Sequence, residues 1–413
     1  MRRDSPQVGT VPTRGLSLAG RRPGPWLRLT ALGGAAATLL AVVSGSAELG
    51  AGHRVLAALA LPPLAAVAAA AWVAYRRLVA PALAALVLFG LAAAVTAPGL
   101  HLTLAALAFS ASVVVAALTF RGEGLPTGAL RDYVTLTKPR IMTLLLLTGF
   151  CGMVVGARGL PQLWLIAATM GGLALACGGA SALNHVLDAD IDRLMGKRTR
   201  SRPVAAGRIP APYALEFGLA LSALSFVLLA GVVNPLTAHL ALVGNLFYVL
   251  VYTRLLKRST PQNIVIGGAA GAVPPLVGWA AATGNLTLPA LVLFAIVFLW
   301  TPPHFWALAL LIKRDYAAAG VPMLPVVRGE DETARQIVLY TAALVAFTLA
   351  PALWGMFGVL YLVAAAALGA GFLWLAWQLH RERTPARAKV LFHYSLAYLA
   401  LLFVAMAIDV VIG

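Results

Sequence analysis

Apolar residues run through this chain in long unbroken stretches, neither alternating with polar ones nor recurring at every third or fourth position. Such stretches fall near residues 29–46, 55–75, 80–98, 101–120, 141–157, 163–184, 213–232, 236–252, 263–282, 287–311, 337–354, 357–378 and 390–411. Each approaches the roughly 20 residues a helix needs to cross a hydrocarbon core about 30 Å thick, so the pattern predicts thirteen transmembrane helices. A membrane barrel would instead show short segments alternating with period two. The expected fold class is therefore all-α, a polytopic helical membrane protein embedded in a lipid bilayer. Polar residues gather in the intervals, and the intervals differ in kind. Some are short and nearly uncharged, such as Val233-Asn234-Pro235 and Gly284-Asn285-Leu286, whereas others are long and rich in Lys, Arg and Asp.

Composition agrees: the 413 residues are 61% hydrophobic and only 11% charged, with a mean hydropathy of +0.88. Soluble domains carry about 25% charged residues, so a water-soluble globular protein is excluded. Charge changes the picture more. A formal net charge of +17 would suggest nucleic acid in a soluble chain, but in a membrane protein Lys and Arg collect in cytoplasmic loops, and no nucleic-acid partner is expected. With thirteen spans and a cytoplasmic N-terminus, every one of the 31 Lys and Arg except Arg54 and Arg158 lies on the inner side. One span too many or too few would invert the sidedness of everything after it. The expectation is a multi-pass protein of the plasma membrane, with a cytoplasmic N-terminus, an external C-terminus and its chemistry facing the cytoplasm. Cys151 and Cys177 lie inside apolar runs and read as small buried hydrophobes.

Three segments are expected. Residues 1–28 hold six arginines with many Gly, Pro and Ser, and lack a convincing signal-peptide cleavage site. They read as a basic cytoplasmic tail. Residues 29–125 contain four Ala/Leu-rich spans with short connections, and residues 126–413 contain nine spans with long, charged inner loops. The linker is expected within Arg121 to Lys138.

The loop after the sixth run reads Asn184-His-Val-Leu-Asp188-Ala-Asp-Ile-Asp192. Spacings of four and four place Asn184, Asp188 and Asp192 on one helical face, while Asp190 points away. Oxygen-bearing side chains stacked at the mouth of an apolar bundle suit a hard cation, and Mg²⁺ keeps a few carboxylates and fills its other positions with water or phosphate. Lys197, Arg198, Arg200 and Arg202 follow at once. Arginine is the forked donor suited to phosphate oxygens, so the combination describes a diphosphate pocket. An acidic helix end balanced by topogenic charge is the plainer alternative, although carboxylates beside a membrane span are costly and tend to be functional. A second inner loop, Lys313-Arg314-Asp315-Tyr316 to Pro325, again sets an acid among bases. Between them Tyr252-Thr253-Arg254-Leu-Leu-Lys257-Arg258 leads to Gly267-Gly268-Ala-Ala-Gly271, where small residues permit close helix packing. The three loops converge if the bundle closes on itself.

Asn184-x-x-x-Asp188-x-x-x-Asp192, Thr199-Arg-Ser-Arg-Pro203, the stretch Tyr252 to Gly271, Thr301-Pro-Pro-His304-Phe-Trp306, Asp315-Tyr316 to Pro325 and the entry Lys138-Pro139-Arg140 together carry a resemblance. From about Asp132 to Gly413 the chain resembles the UbiA superfamily of intramembrane prenyltransferases, and within it the heme-accepting farnesyltransferases. The resemblance implies a nine-helix bundle, Mg²⁺ as cofactor, and heme b and farnesyl diphosphate as substrates. Heme b, farnesyl diphosphate and water would give heme O and diphosphate, with a hydroxyethylfarnesyl group built on a vinyl side chain. Asn184, Asp188, Asp192 and Asp315 would be the metal-binding and catalytic positions. Arg198, Arg202, Lys257, Arg258 and Lys313 would bind the diphosphate, with His304 and Tyr316 on the heme side. One departure stands out: Ala319 occupies the place of a second acid after Asp315, leaving Asp315 as the sole carboxylate of that motif. His304 follows two prolines expected to break its helix, so it would line a cavity, either touching heme, moving a proton, or serving as a structural hydrogen-bonder. His185 adjoins Asn184 but is turned about 100° from it.

In the leading four spans, His53 and His101 open the second and fourth runs and fall on the outer face, where such a pair could ligate one heme. Glu48 and His53-Arg54 faintly resemble half of heme A synthase, the consumer of heme O and a candidate partner. Two rival readings remain. A transporter would carry ionisable residues near the bilayer midplane, whereas here the acids of the nine-span part sit at loops, apart from Glu216 and Asp409 near span ends. A sister prenyltransferase would share the diphosphate site but use a quinone precursor or chlorophyllide as acceptor.

Overall fold

A computed structural model describes residues 24–46, 51–94, 98–119 and 130–412. With no water available in a bilayer to satisfy backbone groups, uninterrupted Leu/Ala/Val runs have the helix as their only open-ended solution, and every predicted run is helical over its described residues. The leading four are α1 (Pro25–Ser46), α2 (Ala51–Ala74), α3 (Arg76–Ala94) and α4 (Pro98–Thr119). The short α5 (Leu130–Leu136) leads into α6 (Pro139–Ala157), α7 (Leu163–Leu187), α8 (Ala189–Leu194), α9 (Lys197–Arg200) and α10 (Ala211–Leu228), which ends in a π-helical turn, Leu229–Val233. α11 (Pro235–Leu246) continues through a π-helical stretch, Phe247–Leu256, into α12 (Lys257–Ser259). Then come α13 (Asn263–Gly271), α14 (Val273–Thr283), α15 (Leu288–Leu311), α16 (Lys313–Ala318), α17 (Leu324–Val327), α18 (Gly329–Leu353), α19 (Val359–Glu382) and α20 (Pro385–Ile412). Among the described residues, eleven helices are long and apolar enough to cross a membrane, with shorter apolar helices at Leu78–Ala94 and Leu107–Ala116. The chain is a multi-pass integral membrane protein. Most of the basic tail and of the linker lies outside the described residues.

From α6 onward each long helix packs on its predecessor, and α20 returns to pack on α6, so the bundle closes. Closure brings the loops after α7, α12 and α15 to one end. Glycines set the closest approaches. A Cβ at Gly278 of α14 would overlap the Gly149 carbonyl of α6, one at Gly152 would meet the Pro275 backbone, and one at Gly179 of α7 would meet Gly218 of α10. The expected glycine stretch divides its work: Gly267 seats the Tyr252 ring, Gly268 lies against Thr301, and nothing approaches Gly271. The largest apolar cluster joins α15, α18, α19 and α20 around Trp306, Tyr361, Phe372, Tyr398 and Phe403.

One sequence expectation fails here. Pro302 and Pro303 do not break their helix, since α15 runs unbroken from Leu288 to Leu311. The lost backbone hydrogen bonds are tolerable because the segment is enclosed by protein: Pro302 and Pro303 are themselves buried, and the helix packs on α13, α18 and α20.

Helices α1 to α4 pack around in sequence, α4 returning to α1, as a four-helix module. It is not detached from the rest. α4 lies against α10 and its π-turn, and Val42, Ala92 and Ala105 share one apolar cluster with Phe226, Leu229 and Ala230.

Asp409, one of two acids near span ends, has a structural explanation. Its carboxylate accepts from the backbone N–H groups of Gly358, at 2.5 Å, and Tyr361, at 3.1 Å, capping α19 from α20. Asp409→Ala is expected to leave those two buried donors unpaired, at about 1–3 kcal/mol each. The thermal midpoint of the purified protein should fall while turnover at low temperature is unchanged.

Candidate active site

The site begins where α7 ends. Asp188 (φ −94°, ψ 3°) separates α7 from α8, so the helix is interrupted at the motif instead of continuous. The interruption is shallow. Backbone bonds from Asp188 N–H to Asn184 O, 2.9 Å, and from Asp192 N–H to Asp188 O, 2.8 Å, carry the four-residue register through it. The phase argument therefore holds. Asn184, Asp188 and Asp192 are buried, the two carboxylates fully, while the Asp190 side chain is 64% exposed.

Every member of that buried face has a side-chain partner, from another segment for Asn184 and Asp188 and from the same loop for Asp192. Asn184 Nδ2 donates to Asp188 Oδ2 at 2.9 Å and to Thr253 Oγ1 at 3.1 Å. Its Oδ1 accepts from Lys138 Nζ at 2.7 Å. Lys257 Nζ donates to Asp188 Oδ2 at 2.5 Å. Arg202 Nη1 lies 2.8 and 2.9 Å from the two oxygens of Asp192. Asp188 Oδ1 is buried with no partner among the described residues. On the outward face Arg258 forks across Asp190 at 2.7 and 2.8 Å and donates to the Leu187 carbonyl at 2.5 Å, binding α12 to the end of α7. The π-helical stretch before α12 is the kind of irregularity found at functional sites, and here it delivers Thr253 to Asn184 and Lys257 to Asp188.

Titration follows the surroundings. Burial, reinforced by the neighbouring Arg202 and Lys257 charges, pulls Lys138 down to about 7. Burial pushes the Asp192 carboxyl up against the pull of Arg202. The Arg258 hydrogen bond holds Asp190 down at about 2.

The second acidic loop approaches the first. The Asp315 carboxylate sits against Gly196, between α8 and α9, where any Cβ would collide with it. Tyr316 is buried among Ile191, Met195, Tyr252 and Met323, so side chains from the three loops share one cluster, and burial raises its hydroxyl to about 12. Other expected members are engaged elsewhere. Lys313 pairs with Glu330 at the start of α18, 3.0 Å away. Arg198 lies on α9, but its side chain falls outside the described residues. Among the described residues no three His, Cys, Asp or Glu side chains come together, and the two buried carboxylates expected to take a metal are paired with Lys257 and Arg202.

His304 stacks between Trp300, 4.2 Å centroid to centroid, and Phe392, 4.9 Å, and its Nδ1 bonds Ser395 Oγ at 2.7 Å. It ties α15 to α20. His185 is buried beside Asn184, and neither ring nitrogen has a partner among the described residues. At the far module, His53 and His101 do meet, with ring centroids 5.5 Å apart. His53 Nδ1 faces the Ala41 carbonyl at 3.1 Å and His101 Nδ1 the Ala92 carbonyl at 2.7 Å. Two site residues escaped the residue-type argument. By residue type Lys138 reads as topogenic charge, legible only within the Lys138-Pro139-Arg140 entry, and it adopts a left-handed conformation (φ 51°) at the start of α6. Thr253 carries no sign at all.

Residues 145–404 match the UbiA prenyltransferase family. The chain is similar to a protein of Symbiobacterium thermophilum named protoheme IX farnesyltransferase, 55% identical over 282 residues, which covers 68% of this chain and 94% of that one. Proteins of the same name from Roseiflexus sp. (strain RS-1) and Chloroflexus aurantiacus are 54% and 48% identical. The matches cover 70% and 80% of this chain but 54% and 58% of theirs, so it spans only about half the length of these longer relatives. The Chloroflexus match is too long to fit after the linker and reaches into the first four helices. Two solved structures share the fold. A digeranylgeranylglyceryl phosphate synthase has a TM-score of 0.58 at 19% identity, covering 69% of this chain and 99% of that one. A UbiA homolog from Archaeoglobus fulgidus bound to DMAPP and Mg²⁺ has a TM-score of 0.51 at 18% identity, covering 67% and 99%. A closed helical bundle with paired acidic and basic loops at one mouth, matched over most of its length by a single family, has one reading: this chain belongs to the UbiA prenyltransferase family.

Proposed function

We propose that the protein transfers the farnesyl group of farnesyl diphosphate, with addition of water, to a vinyl group of heme b, giving heme O and diphosphate. The observation that carries this is the buried cluster of Asn184, Asp188, Asp192 and Lys257, flanked by the half-buried Arg202, at the mouth of a closed, lipid-embedded bundle. It has the charges to hold a metal-bound diphosphate, and the names of the relatives supply the acceptor. Mg²⁺ fits the residues present, because Asp188 Oδ1 is an orphaned buried oxygen and Asp192 lies one turn on. When bound, Mg²⁺ would neutralise charge developing on the departing diphosphate. Asp188 and Asp192 would hold it, with Asp315 approaching over Gly196, and Lys257, Arg202 and Arg198 would take phosphate oxygens. The apolar bundle would keep the allylic cation from water until the vinyl group attacks. His304 and Tyr316 are the heme-side candidates. Lys313 and Arg258 would serve by holding α16 and α12 in place.

Thirteen spans, a cytoplasmic active face and the plasma membrane belong to the same reading, supported by the one-sided distribution of Lys and Arg. Incubating the purified protein with heme b, farnesyl diphosphate and Mg²⁺ should yield heme O by mass spectrometry. Product from a quinone precursor or chlorophyllide, with none from heme b, would assign a different acceptor.

The leading module is proposed as a four-helix unit similar to half of heme A synthase, with His53 and His101 as a heme-binding pair. Their 5.5 Å approach and carbonyl-facing Nδ1 atoms support it. A protein starting near Arg121 is expected to keep most farnesyltransferase activity. The face of α10 that α4 covers is apolar and can be covered by lipid instead, and an even number of deleted spans preserves sidedness. Stable insertion without heme O formation would give the module a part in the reaction.

A further inference from the structure

We propose that this site accepts the divalent metal and the prenyl diphosphate only together. Its two carboxylates and two cations are each other's counter-ions until both components arrive, and then exchange partners in one step. The proposal rests on the metal-diphosphate reading above and specifies the form in which the site takes its substrate.

In the substrate-free site each of the two buried carboxylates already has a cationic partner. Asp188 is fully buried and bonded to Lys257, itself 8% exposed, and Asp192 is fully buried and spanned by Arg202. Of the four oxygens of these two carboxylates, only Asp188 Oδ1 is without a partner among the described residues. A bare divalent cation would have to displace Lys257 and Arg202. Their charges would then stand unpaired beside an incoming cation, with Lys138 adding a third on Asn184. Leaving one member of a buried pair uncompensated is strongly unfavourable, so the metal alone is resisted. A bare diphosphate would draw Lys257 and Arg202 away and leave two buried carboxylates facing an anion, which is resisted for the same reason. When both arrive, Asp188 and Asp192 turn to the metal, Lys257 and Arg202 turn to phosphate oxygens, and no charge is left alone. The two binding events are thus coupled, and coupling is reciprocal.

The exchange needs side-chain rotation only. Lys257 is an ammonium on a flexible stem, and the backbone that carries it stays anchored because Arg258 grips Asp190 and the Leu187 carbonyl, neither of which takes part. Arg202 is 31% exposed and so has room to turn.

The test uses the full chain in nanodiscs, Mn²⁺ as a paramagnetic substitute for Mg²⁺, and inorganic diphosphate as the probe anion. Electron paramagnetic resonance reads Mn²⁺ bound in the absence of diphosphate, and radiolabelled diphosphate retained by the protein reads the anion with and without Mn²⁺. The wild type should bind bare Mn²⁺ weakly and retain diphosphate at least about tenfold better when Mn²⁺ is present. Lys257→Met and Arg202→Gln should each tighten bare Mn²⁺ binding by about tenfold, since each frees a carboxylate, while weakening diphosphate retention. A purely structural role for these cations would leave bare Mn²⁺ affinity unchanged or lower it, and that result overturns the exchange. If Lys257→Met fails to yield a monodisperse protein, Arg202→Gln, at the more exposed pair, decides alone. The underlying reading fails differently: diphosphate retention indifferent to Mn²⁺ in both the wild type and Asp188→Asn would remove the metal from the site altogether.

Discussion

Asp188→Asn is expected to lower heme O formation by about three orders of magnitude while leaving a folded, inserted protein. The substitution keeps the volume of a fully buried side chain but removes the charge assigned to the metal. Metal-centred stabilisation of a departing diphosphate amounts to several kcal/mol, and each 1.36 kcal/mol is about a factor of ten in rate. Alanine would be a poorer choice, since it adds a cavity beside a lysine stripped of its partner. The control is Asp190→Ala, two residues away on the opposite face. It removes an exposed pair with Arg258, worth about 0.2–1 kcal/mol, and Arg258 keeps its bond to the Leu187 carbonyl. Turnover per folded molecule should stay within about fivefold of wild type. Equal sensitivity of Asp188 and Asp190 would sink the assignment of the buried face to the metal.

Gly278→Ala should have the largest effect on folding of any single methyl group in the bundle from α6 onward. The added Cβ would overlap the Gly149 carbonyl oxygen, and its neighbour there is backbone, which has no rotamer to change. Ordinary overpacking costs about 1–3 kcal/mol because side chains can adjust. Here α6 and α14 would have to separate, and with them the start of α6 that delivers Lys138 to Asn184. The expected outcome is loss of monodisperse protein on extraction. Gly33→Ala on α1 is the matched control: nothing lies within 4 Å of its added Cβ, and the higher helix propensity of alanine should leave stability unchanged or raised by up to about 1 kcal/mol. Similar behaviour of the two variants in a thermal melt would argue against backbone contact as the link between α6 and α14.

The positions of the helices were legible because the bilayer leaves the backbone one local solution, and an apolar run of sufficient length names it without reference to the rest of the chain. The same is true of the motif face. Phase along one helix is a local property, and even the interruption at Asp188 preserves the register that buries Asp188 and Asp192 and exposes Asp190. Local reasoning failed where the environment reversed a local tendency. Pro302 and Pro303 read as a break, yet α15, enclosed by packed helices, is continuous across them. It was silent where a side chain has no chemical signature, as with Thr253.

Amino-acid order by itself thus determined an all-helical membrane protein, where its spans lie, and which carboxylates and cations stand at the mouth of the bundle. Only the tertiary structure decided who partners whom. Lys257 and Arg258 are adjacent in sequence and equal in charge, yet one reaches Asp188 and the other Asp190, 69 and 68 residues back along the chain. The outcome depends on the π-helical stretch Phe247–Leu256, which resets the rotation of everything after it, and on the closure of α20 against α6, which brings distant loops to a common end. Those are relations between helices. Residue type and local spacing hold no record of them, because the angle and depth at which two helices meet are set by the small residues in contact between them.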